Sequence, residues 1–277
     1  IITRRKEVER NQASILENAI NVLDSEDLLD YYPERFSYGK DRKEQLFNIA
    51  LSLTISWVNR ILFLKLLEAQ LIKYHKGDSS YSFMNLNKIT DYDELNKLFF
   101  QVLAKRPQDR KDVINAKYGK VPYLNSSLFE VSSLEKGTIR ISNLENHDLP
   151  LFGGTVLREG TKPRYRQLPT LRYLLEFLDA YDFASEGNEE IQENAKPLIN
   201  ASVLGLIFEK INGHKDGSVF TPGAVTMYMS REAIRQTVVW KFNEVMGWNC
   251  KDYEALLDKD IEDYVKANAL VDSLRIC

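Results

Sequence analysis

The chain has 277 residues, 44% hydrophobic and 28% charged, enough apolar material for one large or two modest cores in water. A formal net charge of −3 excludes a global positive field that would draw the whole chain onto nucleic acid or an anionic membrane, so any DNA contact must be local. The two cysteines, Cys250 and Cys277, stand far apart without companions at metal spacing, which argues against a disulfide framework or a zinc site and fits a reducing cytoplasm.

The helical period predicts an amphipathic helix over 4–24, with Val8, Ile15, Ala19, Val22 and Leu23 on one side. After the turn-like YYPERFSYGKD, residues 41–74 read as a long central helix, apolar nearly all round through Leu46, Ile49, Leu53, Trp57, Ile61 and Leu64. Its longest near-apolar run, Leu46 to Val58, stops at Asn59-Arg60, short of the roughly 20 residues a membrane span needs. No signal peptide begins the chain, so a soluble, cytoplasmic protein with no membrane partner is expected. Residues 91–105 add a shorter helix closed by Arg106-Pro107.

From Val121 to about Thr170 the texture changes to loops, and 129–131 and 138–141 flank Glu135-Lys136-Gly137 as two β-prone segments, predicting a small hairpin. Helices resume over 170–181, 197–212, 222–245 and 252–267. The last residues, Val271 to Cys277, read as a strand just begun. With an isoleucine at position 1, this leads us to expect a segment of a longer protein.

Thr221-Pro222 is a strong helix start. A threonine hydroxyl can accept from an amide two or three residues on, and proline at the first helical position sacrifices no hydrogen bond. Such a start can be purely structural. The preceding loop, Gly213 to Gly217, is polar, however, so the free amides of Gly223, Ala224 and Val225 can instead face a carboxylate or phosphate, which those donors and the helix dipole favour.

The stretch VLGLIFEKINGHKDGSVFTPGAVTMYM resembles the pattern L-G-x-[IV]-[YF]-E followed by G-x-[FY]-[YF]-T-P-x-x-[VI]-x-x-[YL]-M. That pattern opens the methyltransferase domain of adenine-specific DNA methyltransferases, in type I modification subunits and in single-chain type II (IIG-like) restriction-modification enzymes. WVNRILFLKLLEAQLI is similar to their R-x-[LI]-F-[LI]-x-[FL]-L-E helix, and VPYLNSSLFE to their P-Y-L-N-G-G-L-F-E, with Ser126-Ser127 replacing the usual glycine pair. The resemblance implies a mainly α, bundle-like fold with a small hairpin and loop insertion at about 121–170. Residues 1–196 would form a helical N-terminal or connector domain, and 197–277 would begin a methyltransferase domain, ending at the first strand of its α/β sheet. The family's D-P-x-x-G-S-G cofactor loop and N-P-P-[YF] target-base motif do not occur here, so no catalytic residue is assigned. The resemblance further implies that Phe220, Thr221, Pro222 and Gly223 line the methionine end of S-adenosylmethionine in the full-length parent. There the partners would be double-stranded DNA and the rest of the same polypeptide.

Lys162, Arg164 and Arg166, in the basic and aromatic stretch Lys162-Pro163-Arg164-Tyr165-Arg166, are candidates for DNA phosphates, with a solvated loop as the alternative. Asp41-Arg42-Lys43 and Asp109-Arg110-Lys111 match the D-x-K spacing of a metal-dependent nuclease, but neither follows an apolar strand, and no metal site is assigned. His75, His147 and His214 have no evident triad partner. The competing function is a helical connector that links an upstream endonuclease to other parts and touches no cofactor.

Overall fold

The computed structural model describes residues 4–183, 199, 201–216, 221 and 223–274. Ser14 opens the first helix, α1 (Ile15–Ser25), its hydroxyl accepting from the Glu17 amide at 3.3 Å. The apolar period places the start of this helix at residue 4. Ahead of the Ser14 cap, however, the structure has only a short 3-10 turn at Glu7–Glu9, and Val8 is 99% exposed. A serine bonded to the amide three residues on stops the helix from running backward, so Val8 has no core to face.

Asp41 caps α2 (Arg42–Tyr74) by accepting from the Glu44 amide at 2.9 Å. Ile49, Leu53, Trp57, Ile61 and Leu64 on this helix are buried, and α1 packs along it. In length and composition α2 could cross a membrane, a longer apolar element than the Leu46–Val58 run implies. Here 50% of its apolar 18-residue stretch is buried, and Phe47, Leu62, Phe63 and Leu66 pack partly covered against the same core. Asp91 caps α3 (Tyr92–Lys97), which passes into a π-helical turn at Leu98–Leu103, and α4 (Asp112–Tyr118) adds Ile114 and Tyr118 to the same core.

The hairpin expected around Glu135 is not there. Phe129 closes a 3-10 turn, Ile141 opens another, and between them lies a short helix, α5 (Ser133–Gly137). Ser132 and Glu135 form a reciprocal capping box, and that local pairing outweighs the β preference of the flanking residues. The strands fall later: β1 (Asp148–Pro150), β2 (Arg158–Glu159), β3 (Lys162–Pro163) and β4 (Gln167–Pro169). They make two nested antiparallel ribbons, β1 with β4 (Leu149 opposite Leu168) and β2 with β3 (Arg158 opposite Pro163). Gly160 turns the inner ribbon at φ +62°, the left-handed region glycine enters without strain.

The ribbon delivers the chain into α6 (Thr170–Asp179), whose first hydroxyl, on Thr170, reaches the Ala13 and His147 carbonyls at 2.8 and 3.0 Å. Leu204 of α7 (Ala201–Asp216) is buried in this same core, flanked by Ile199, Ile207 and Phe208. These elements make one compact unit, Ile1–Ser218.

The second unit, Val219–Cys277, is built from α8 (Gly223–Met246), α9 (Tyr253–Leu257) and α10 (Tyr264–Asp272) around Val239, Phe242, Cys250, Leu256 and Ala267. The single helix expected over 252–267 is two. Asp252 and Asp263 each accept from the amide three residues on, at 2.8 and 2.9 Å, and each cap starts its own helix. The strand expected from Val271 is also corrected: Val271 and Asp272 complete α10 and Ser273 ends it, while 275–277 lie outside the described residues. The molecule is thus mainly α-helical with a small ribbon insertion.

Candidate functional site

Two of the three stretches that carried the resemblance meet inside the first unit. Arg60, in the middle of α2, is 3% exposed and four of its five guanidinium N–H groups donate to protein. It gives Nη1 to Glu135 Oε1 (2.5 Å), Nη2 to Glu135 Oε2 (2.8 Å) and to the Glu130 carbonyl (3.1 Å), and Nε to the Leu128 carbonyl (2.6 Å). Trp57 Nε1 donates to Glu135 Oε1 at 3.0 Å, and the rings of Phe63 and Phe129 meet edge to face at 5.7 Å. Burial pushes the Glu135 carboxyl upward, but the hydrogen bonds and charge of Arg60, with the Ser132 amide and Trp57, hold it below the usual carboxylate range. A charge pair this deeply buried, with four of the five guanidinium N–H groups and both carboxylate oxygens held by protein, is committed to structure. It ties the WVNRILFLK helix to the YLNSSLFE turn.

Glu68, one turn from the end of the same stretch, is used the same way. Its Oε2 accepts from the Phe83 and Met84 amides, both at 2.6 Å, and from the Ser82 hydroxyl, while Oε1 takes Lys65 at 2.8 Å. The serine pair fits the turn without strain. Ser126 is extended (φ −139°, ψ 131°) and its hydroxyl accepts from the Leu128 amide, and neither serine is among the described residues at positive φ. Nothing in this turn requires glycine's freedom.

The third stretch enters α8. Thr221 and Gly223 are exposed, and a side chain added at Gly223 would meet nothing within 4 Å. Phe220 and Pro222, the other two residues that the resemblance assigns to the cofactor, lie outside the described residues. The first nine residues of α8, Gly223 to Arg231, are all exposed, among them Val225, Met227, Tyr228 and Met229, which point in different directions round the helix. The helix gains its own packing only near its far end, at Val239 and Phe242.

The candidate phosphate contacts sit on the inner ribbon and its exit. Lys162, Arg164 and Arg166 are exposed while Pro163 and Tyr165 between them are partly covered. The structure brings Arg158, which sequence reasoning missed, to the same place: the Arg164 amide donates to the Leu157 carbonyl at 2.8 Å, beside it. Arg158 and Arg164 line a cleft of about 750 Å³ together with Asn85, Asn87, Tyr165 and Glu176. Among the described residues none of Arg158, Lys162, Arg164 and Arg166 makes an ion pair. Glu176 in the cleft is already paired, with Arg172 at 2.6 Å. The signal that could have found Arg158 is the Glu159-Gly160-Thr161 turn, which folds it back toward Arg164.

The remaining candidates have structural duties. Asp41 is the cap of α2, and Arg110 donates to the Lys105 and Val121 carbonyls from a buried position. His75 stacks on Tyr81 at 3.8 Å, and His147 pairs with Glu145 at 2.8 Å. The His214 side chain lies outside the described residues. No group of three metal-ligating side chains comes together among the described residues.

Fold and site together define a helical module with a charge-locked centre and a basic ribbon on its surface. The chain belongs to the family described as a domain of unknown function, DUF7814, which matches residues 1–199. It is also similar, at 27% identity over 215 residues, to a protein of Methanocaldococcus jannaschii whose name marks it as an inferred type II restriction enzyme and methyltransferase. That match covers 70% of this chain and 16% of the relative, so the chain spans a small part of the relative's length. The relationship is one to restriction-modification proteins. No solved structure matches the chain.

Proposed function

We propose that this chain is the helical connector and the beginning of the methyltransferase domain of an S-adenosylmethionine-dependent DNA adenine methyltransferase, within a cytoplasmic, bifunctional IIG-like restriction-modification enzyme. In this reading residues 1–196 form the connector and 197–277 start the methyltransferase domain. The carrying observation is the open first turn of α8: Thr221 and Gly223 stand exposed beside amides that have no helical acceptor of their own. A ligand carboxylate there gains charge-assisted hydrogen bonds, plus about 0.3–2 kcal/mol from the helix dipole. The exposed Val225, Met227, Tyr228 and Met229 support the other half of the reading. A helix end that is apolar on several sides is suited to be enclosed by further protein, here the rest of the same polypeptide. By itself the chain positions and does not catalyse, since it carries neither the cofactor loop nor the target-base motif.

The test is isothermal calorimetry of S-adenosylmethionine binding to the whole enzyme. Thr221→Ala should weaken binding several-fold while leaving the thermal midpoint of the ligand-free protein within a degree or two. Unchanged affinity would favour the connector reading, in which α8 serves packing alone.

A further inference from the structure

We propose that the mouth of the cleft between the inner ribbon and the Asn85–Asn87 turn is a phosphate site that seats the DNA backbone, with Arg158 and Arg164 as its cations and the Asn87 amide as a neutral donor. Lys162 and Arg166 continue the track along the exposed edge. The inference rests on the reading of the parent as a DNA-modifying enzyme, and adds to it a cleft and two ligating residues, Arg158 and Asn87, not grouped by sequence.

Three observations carry it. First, the cleft acids have cations elsewhere and the ribbon cations make no ion pair: Glu176 holds Arg172 at 2.6 Å and Asp179 lies 3.4 Å from Lys65, which Glu68 shares, whereas no ion pair joins Arg158, Lys162, Arg164 or Arg166 to an acid among the described residues. In a chain of net charge −3, the nine residues 158–166 carry four cations against one acid, Glu159, which is registered opposite Lys162, so the ribbon keeps a local excess of positive charge. Second, the inner ribbon brings the two arginines together: Arg158 is registered opposite Pro163, the neighbour of Arg164, the Arg164 amide donates to the Leu157 carbonyl at 2.8 Å, and both arginines line the cleft. Third, the cleft holds donors suited to an anion. Asn85 is committed to its own turn, accepting from the Asn87 and Lys88 amides at 3.1 and 3.2 Å, which aligns the turn and leaves the Asn87 side-chain amide without a partner among the described residues. The guanidinium of Arg158 is steadied by the Gly153 carbonyl, so that less freedom is lost when it binds.

The experiment is fluorescence anisotropy of a labelled random-sequence duplex with the full 277-residue chain, titrated over about 50–200 mM salt. Arg158→Gln with Arg164→Gln should reduce the slope of log affinity against log salt by about 2, one contact for each arginine. Arg158→Lys with Arg164→Lys should keep most of that slope. Lys111→Gln with Lys136→Gln, two exposed cations elsewhere, should leave it unchanged. Equal losses from the ribbon pair and the control pair would overturn the cleft as a site while leaving DNA binding intact. A duplex that fails to bind at about 50 mM salt would overturn both the cleft and the DNA-positioning role, leaving the cofactor corner to its own test. Displacement of the duplex by millimolar inorganic phosphate, lost in the ribbon variant, would reassign the cleft to a free phosphate and refute the strand-seating form. Should the double glutamine variant lose helicity by circular dichroism, Arg164→Gln alone, whose side chain makes no hydrogen bond among the described residues, should still lower the slope by about 1.

Discussion

Replacing Glu135 with glutamine tests whether the two resembling stretches are held together by charge. The substitution keeps the shape of the side chain and an oxygen for Trp57 Nε1, which donates to it at 3.0 Å, but removes the negative charge facing a guanidinium that is 3% exposed. Breaking a buried ion pair by removing one partner costs about 3–5 kcal/mol, because the remaining charge is left without compensation. Here the Leu128 and Glu130 carbonyls still accept from Nε and Nη2, which places the expected loss near the lower end, about 3 kcal/mol. Measured by urea unfolding followed by circular dichroism, with a slope of about 2–3 kcal/mol per molar, the transition should move down by about 1–1.5 M. Arg60→Met combined with Glu135→Leu should lose less than the sum of the two single variants, since no buried charge is left alone, although the Leu128 and Glu130 carbonyls, Trp57 Nε1 and the Ser132 amide each lose a partner. A loss under about 1 kcal/mol for Glu135→Gln, or a double variant as unstable as the sum of the single ones, would refute the lock.

Further outcomes follow from other parts of the fold. Glu94 accepts Lys117 at 2.5 Å and Lys97 at 2.9 Å; desolvation raises its carboxyl, but the two lysines outweigh it and hold it below the usual range. A carboxyl depressed in the folded state binds its proton more readily when unfolded. Its stabilisation is therefore complete above the unfolded value of about 4.3 and is lost as pH falls through the folded one, so Glu94→Gln should flatten the acid limb of a stability-against-pH curve. Ser127→Gly, restoring one family glycine where the turn does not use it, should destabilise by about 0.5–1 kcal/mol through the unfolded chain; a gain in urea midpoint would contradict the unstrained turn. Gly160→Ala meets no atom within 4 Å, yet stands at φ +62°, so it should cost about 1–2 kcal/mol by backbone strain alone, visible as faster amide exchange in the ribbon.

The sequence by itself determined the elements whose signals are local. Its apolar period located α2 and α6 within a residue or two, and the Thr221-Pro222 start placed α8. Those patterns depend on neighbours three or four residues away, and the structure keeps them. It also supplied the motif stretches, but not their use: Arg60 and Glu68 read as members of a resembling pattern, and only packing reveals that both are spent on carbonyls, amides and Glu135 across more distant chain. Local competition decided the errors. The Ser132–Glu135 capping box made a helix where residue preference favoured a hairpin, the Ser14 cap shortened α1, and α10 took the residues read as a strand. The basic cleft was half legible. Lys162, Arg164 and Arg166 alternate in sequence, but Arg158 joins them only through the turn at Gly160, and Asn87 only because the 82–87 turn, anchored by Glu68, is brought beside the ribbon. Contacts between residues some seventy positions apart leave no periodicity to read, so the fold alone can assign them.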